Sequence, residues 1–135
     1  MIDRKHVGAL LPGHTAEVEK GRLRLFAKVI GETDPIYTDE AAAARAAGMG
    51  DVFAQGMLVM AWAGRAVTAW ARPGALREFG VRFTSVTRVG DVLTCTGRVV
   101  EKREEGGERR VRVRIEAADA RGDVKVAGEA VVALP

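Results

Sequence analysis

Apolar residues recur at different periods in the two halves of the chain. Between Val18 and Gly31, the residues Leu23, Phe26, Ala27 and Ile30 return at spacings of three and four. That spacing predicts a helix with one buried face, stopped by Gly31. Pro35 forbids helix through the next stretch, GETDPIYTDE (31–40). Thr38 or Asp39 can then cap a short helix through EAAAARAA, ended by Gly48 and Gly50. The segment GMLVMAWAGRAVTAWA (56–71) is apolar on nearly every face and stops at Pro73 and Gly74. It is long for a strand and rich in alanine, so it reads as a helix. With no polar side it is expected to be buried all round.

The second half carries β-branched residues at period two. Four strands are expected, at 79–87, 91–100, 109–118 and 124–134. In the third, Val111, Val113 and Ile115 face one way and Arg110, Arg112 and Arg114 the other. The links RVGD, EEGGE and ARGD are short glycine turns suited to antiparallel hairpins. An early strand near HTAEV brings the count to about five strands around one wholly apolar helix. The economical packing of these parts is an α+β fold in which a curved antiparallel sheet wraps the helix. The competing arrangement, an open sandwich with the helix lying on one face, requires a polar outer side that this helix lacks. No linker or repeat divides the chain, so residues 1–135 read as one domain.

Composition narrows the function classes. The chain is 47% hydrophobic and 29% charged, with a net charge of +3 from scattered arginines. This suits an anionic ligand, an acidic partner protein or simply a solvated arginine-rich surface. The seven aromatics form no basic stacking pattern, which argues against nucleic acid. The single cysteine, Cys95, offers neither an internal disulfide nor a metal spacing and reads as a core residue in a strand, consistent with a reducing cytoplasm. The N-terminal apolar run is too short for a signal peptide, and no run reaches the ~18 apolar residues of a membrane span. Neither a metal nor a cofactor is expected.

The order GETDPIYTDEAAAARAAG, VFAQGMLVMAWAGR, VRFTSVTRVGDVL, GEAVVAL resembles the MaoC-like dehydratases, over roughly Val18 to Leu134. That family includes R-specific enoyl-CoA hydratases and (3R)-hydroxyacyl-ACP dehydratases. The resemblance implies a hot-dog fold, a five-stranded antiparallel sheet wrapped around a long central helix. It also implies an acyl-CoA or acyl carrier protein thioester as ligand, and a homodimer or a heterodimer with another MaoC-like subunit.

The family's hydratase motif, G-D-x-N-P-[IL]-H, uses its aspartate and histidine to activate the water added to, or removed from, the thioester. Its second element, A-H-G-M, opens the central helix, where the glycine N–H polarises the thioester carbonyl. In this chain Gly31, Pro35 and Ile36 match the first motif, and Ala54, Gly56 and Met57 the second. Glu32 stands at the aspartate position, Asp34 at the asparagine and Tyr37 at the first histidine. Gln55 stands at the second histidine. The only histidines, His6 and His14, precede both motifs. An imidazole, with a pKa near ~6.5, exchanges protons at neutral pH; a phenol, near ~10, does so poorly.

The candidate catalytic set implied is therefore Glu32 holding the water, Tyr37 or Asp34 assisting, and Gly56 donating to the carbonyl. Pro35, Ile36, Ala54, Gln55 and Met57 are candidate substrate-binding residues. The same residues admit structural roles: Glu32 and Asp34 as caps, Tyr37 as a pocket-lining aromatic, and Asp39 as an N-cap. Gln55 would bond across the pocket or across a dimer interface. Met57, Met60, Trp62 and Trp70 would line either the core or an acyl tunnel. Three functions compete: a weak hydratase, a substrate-binding or structural subunit of a dehydratase, and a carboxylate-dependent thioesterase.

Overall fold

The computed structural model describes residues 6–48 and 51–135. Its elements are strand β1 (His14–Glu17), helices α1 (Lys20–Ile30), α2 (Glu40–Ala47) and α3 (Gly56–Thr68), and strands β2 (Leu76–Phe83), β3 (Val92–Glu105), β4 (Glu108–Ala118) and β5 (Val124–Ala133). Short 3-10 turns lie at Pro35–Tyr37 and Pro73–Ala75. Every neighbouring strand pair is antiparallel, in the order β1-β3-β4-β5-β2. Of the three hairpins predicted from the glycine turns, EEGGE and ARGD join the β3–β4 and β4–β5 neighbours, but RVGD makes none. β2 pairs with β5 and β3 with β1, so that link crosses from one edge of the sheet to the other side. β1 and β2 close the two edges. The strand beginning near Phe79 starts earlier, at Leu76, and ends earlier, at Phe83. β3 runs on to Glu105 and pairs along its length with β4, which pairs on its other side with β5 from Arg110 to Ala118.

The inward rows match the alternation. Val111, Val113, Ile115 and Ala117 of β4 are wholly buried, as are Leu93, Cys95 and Val99 of β3. They pack on Val59, Ala63, Ala66 and Val67 of α3 in one core. On the outer face Arg112 is paired with Glu129 at 2.7 Å and with Glu101 at 3.4 Å, and Arg110 with Glu108 at 2.8 Å. Acidic partners on β3, β4 and β5 thus occupy much of that arginine-rich face.

Two further expectations are corrected. α3 is not buried all round. Met57 is 61% exposed, Ala61, Arg65 and Thr68 are exposed, and Met60 and Gly64 are half-buried. These positions form one stripe at helical spacing, flanked by Phe79 and the exposed Phe83 of β2. A sheet of five strands covers only the side of the helix it faces, and the entry segment covers another. Sequence apolarity therefore exceeds what a single chain buries. The second correction concerns α1. Leu23 and Ala27 are buried and Phe26 half-buried, but Ile30 is 50% exposed. Ile30 sits in the last turn, where the chain leaves the core for the exposed loop that follows.

Local signals ended α1 and α2 as expected, whereas α3 stops at Thr68, short of Pro73 and Gly74. Gly31 adopts φ 73° and its N–H bonds back to Ala27 C=O, a left-handed cap that only glycine takes at little cost. Asp39, rather than Thr38, caps α2, its Oδ1 accepting from the N–H groups of Ala41 (2.9 Å) and Ala42 (3.4 Å). Gly48 follows α2 at φ 65°. Gly50 lies outside the described residues. No described helix is long and apolar enough to cross a membrane.

Candidate functional site

The loop between α1 and α2 is organised by its own carboxylates. Glu32 Oε1 accepts from the Asp34 N–H at 2.9 Å, and Asp34 Oδ1 accepts from the Ile36 N–H at 3.1 Å. Asp34 is thereby the N-cap of the 3-10 turn, with Pro35 at its first position. Pro35 C=O then receives the N–H groups of Thr38 (3.1 Å) and Asp39 (2.7 Å). Glu32 and Asp34 are both exposed, Ile36 and Tyr37 half-buried. The structure thus realises the capping role for both carboxylates, each through one oxygen.

Tyr37 links this loop to the start of α3. Its ring meets Phe53 edge to face, with centroids 5.3 Å apart and planes at 69°, a favoured aromatic geometry. Phe53 stands three residues before Gly56. Its backbone bridges to Arg88, and Ala54 N–H donates to Thr87 C=O at 2.9 Å. The entry to α3 is thus clamped on one side by the Tyr37 ring and on the other by loop 84–91. Among the described residues no hydrogen bond runs from Glu32 or Asp34 to Gln55 or Gly56.

Gln55 is buried, and its Nε2 donates to the Leu23 C=O of α1 at 3.2 Å. Its Oε1 is buried without a partner. Because the side chain turns away, α3 has no side-chain N-cap; the Gln55 C=O receives the N–H groups of Leu58 and Val59. The N–H groups of Gly56 and Met57 are left facing outward at the positive end of a thirteen-residue helix. Gly56 is exposed, and a Cβ placed on it would stand 3.2 Å from the Phe83 ring. Ala54 is buried in the core, and Trp62 and Trp70 are likewise buried. Met57 is open to solvent.

Two apolar grooves border the first turns of α3. One, about 280 Å³, lies between α1 and α3 and is lined by Arg22, Leu25, Phe26, Val29, Leu58 and Trp62. The other, about 390 Å³, runs along the open stripe past Met60, Gly64 and Phe79. Leu25 and Val29 escaped the sequence reading because they lie outside the α1 face that packs on the core. Their exposure on a helix beside α3 is the only signal, and it is tertiary. Burial, helped by Arg65 and Arg22, holds the His14 imidazole on β1 below its ordinary pKa. Arg22 lines the first groove and Arg65 the second.

Comparison with known proteins gives these features a context. A family model described as MaoC like domain matches residues 7–120. A UPF0336 protein of Streptomyces griseus is 31% identical over 93% of this chain and 89% of its own length. The unliganded R-hydratase PhaJ1 from Pseudomonas aeruginosa superposes with a TM-score of 0.81, at 30% identity over 96% of this chain and 82% of that one. The HadBC (3R-hydroxyacyl-ACP dehydratase) complex from Mycobacterium tuberculosis shares the fold alone, with a TM-score of 0.76 at 18% identity over 95% of this chain and 96% of that one.

Proposed function

The chain belongs to the MaoC-like dehydratase family, and from that premise we propose that it binds an acyl-CoA or acyl carrier protein thioester as the non-catalytic subunit of a hydratase or dehydratase. The proton-transferring residues would come from a second, histidine-bearing MaoC-like chain. One observation carries this reading: the side chains at the catalytic positions are committed to structure. Glu32 and Asp34 hold backbone N–H groups of their own loop, and Tyr37 packs on Phe53. Gln55 holds Leu23 C=O. None of them offers an imidazole. The open N–H groups of Gly56 and Met57 still suit a thioester carbonyl, which needs donors rather than a base. The grooves beside them suit an acyl chain, and the uncovered stripe of α3 is where a partner subunit would sit.

The deciding experiment compares the purified chain alone with the chain reconstituted with a histidine-bearing MaoC-like partner. Crotonyl-CoA should bind to the chain alone without being hydrated, and hydration should appear with the partner. Turnover by the chain alone, removed by Glu32→Gln, would overturn the proposal.

A second reading draws on the carboxylate oxygens Glu32 Oε2 and Asp34 Oδ2, which have no hydrogen-bond partner among the described residues. Either would hold a water for slow hydration of a 2-enoyl thioester or for thioester hydrolysis. Formation of 3-hydroxybutyryl-CoA would mark the first, and release of free CoA the second.

A further inference from the structure

β5 carries an irregularity next to this site. Ala117 pairs with Val126 and Ala118 with Val124, which leaves Lys125 as the extra residue of a β-bulge. Plain alternation would send Lys125 and Val126 to opposite faces. With the bulge both are buried, and Lys125 is 3% exposed.

An ammonium at that depth requires charge partners. Lys125 Nζ lies 2.9 Å from Asp123, 3.5 Å from Asp119 and 3.7 Å from Asp91. It donates to the Val86 C=O at 3.0 Å and lies 3.5 Å from Ser85 Oγ. Burial works most strongly against its charge, but the three carboxylates outweigh it and raise its pKa above the ordinary lysine value.

These contacts gather one loop. Ser85, Val86 and Asp91 all belong to loop 84–91, which is bound at both ends of the candidate site. Thr87 C=O receives the Ala54 N–H, and Arg88 bridges to Phe53. The N–H of Gly90 donates to Val18 C=O, just ahead of α1, at 2.9 Å. The path from the ammonium to the helix entry is short: Val86 to Thr87, Thr87 to Ala54, then Gln55 and Gly56. From Phe53 a single ring contact reaches Tyr37.

We propose that Lys125 is a positioning residue of the thioester site, holding loop 84–91 so that Phe53–Gly56 enters α3 at the angle that presents the Gly56 N–H and seats the Tyr37 ring. The inference rests on the thioester reading above and extends it to a residue far from both motifs.

Tyr37 is the only tyrosine in the chain, so 3-fluorotyrosine gives a single ¹⁹F resonance at the site. Lys125→Met should move that resonance towards the unfolded-state position or broaden it, and weaken crotonyl-CoA binding by roughly tenfold to a hundredfold, the scale on which small misplacements of donors act. Val113→Ala, in the core of β4, serves as the stability control and should leave the resonance in place. Should Lys125→Met fail to fold, Lys125→Met/Asp119→Asn removes both charges together and is expected to show the same displacement.

An unmoved resonance in the folded variant, alongside a lower melting temperature, would reduce Lys125 to a stability device and overturn the proposal. An equal displacement in Val113→Ala would overturn it too. Failure of the wild-type chain to bind crotonyl-CoA would refute the thioester reading instead, and the ligand-free ¹⁹F comparison would still decide the positioning claim.

Discussion

Replacing Glu32 separates a cap from a catalyst, because the two roles differ in scale. The structural role is one hydrogen bond, Glu32 Oε1 to the Asp34 N–H at 2.9 Å, on an exposed loop. Loss of a side-chain acceptor of this kind costs about 1 kcal/mol. In a chain of this size that lowers the melting temperature by about 3–5 °C. Glu32→Gln keeps an amide oxygen to accept the same N–H, so its stability should match wild type, whereas Glu32→Ala should show the full loss. A catalytic role predicts a different pattern. General acid–base catalysis contributes about 10²–10⁴ in rate, or about 3–5 kcal/mol of barrier at 1.36 kcal/mol per tenfold. Glu32→Gln would then abolish turnover while leaving stability intact. The assay pairs thermal unfolding with crotonyl-CoA hydration by the reconstituted complex. The proposed function requires Glu32→Gln to leave the melting temperature unchanged and the hydration rate within about twofold. A hundredfold drop in hydration with an unchanged melting temperature would refute the assignment of Glu32 as a cap alone.

Two further outcomes follow from the packing. Gly128 lies opposite Val81 where β2 meets β5, and a Cβ there would stand on the Gly80 C=O and 2.6 Å from Val81 Cα. Because backbone cannot yield as a side-chain tip does, Gly128→Ala should cost roughly 3 kcal/mol or more; a cooperative melt at the wild-type temperature would contradict this. Burial pushes the Cys95 thiol up to about 11, above its unfolded value, so the folded state retains the proton longer. The associated stability is present at neutral pH and is lost as pH rises from about 9 towards 11. Ellman's reagent at pH 8 should label the denatured but not the native chain, and rapid native labelling would count against the buried placement.

The sequence carried the class of each element better than its surroundings. The strict alternation in 109–118 identified the inner and outer faces of β4. Two of the three glycine turns paired β3, β4 and β5, while the third, RVGD, joins strands that are not neighbours. That β1 and β2 form the edges depends on long-range pairing, which no local pattern encodes. Val124-Lys125-Val126 illustrates a sharper failure. It reads as an ordinary alternating strand with lysine in water, and only the register against β4 reveals the bulge that turns the lysine inward. Gln55 was ambiguous for a similar reason, since its acceptor lies 32 residues away on α1. The apolar excess of α3 was legible. Its destination was not, because sequence cannot divide apolar surface between a chain's own core and a surface left open.

The motif itself mixes two kinds of information that the structure separates. Gly31 is needed because the chain leaves α1 at φ 73°, and Pro35 because its ring suits the first position of the 3-10 turn that Asp34 caps. Both requirements belong to the backbone and would persist whether or not the loop ever handled a proton. Gly56 is constrained by packing, since a Cβ there would stand 3.2 Å from the Phe83 ring. The match at these three positions therefore reports the fold. Chemistry is reported only by the side chains at 32, 34, 37 and 55, and there every change from the family pattern removes an imidazole or supplies a group that the structure holds in a backbone or ring contact. A loop can keep the frame of a catalytic motif for reasons of geometry while its chemistry passes to another chain, and those four side chains decide between the two cases.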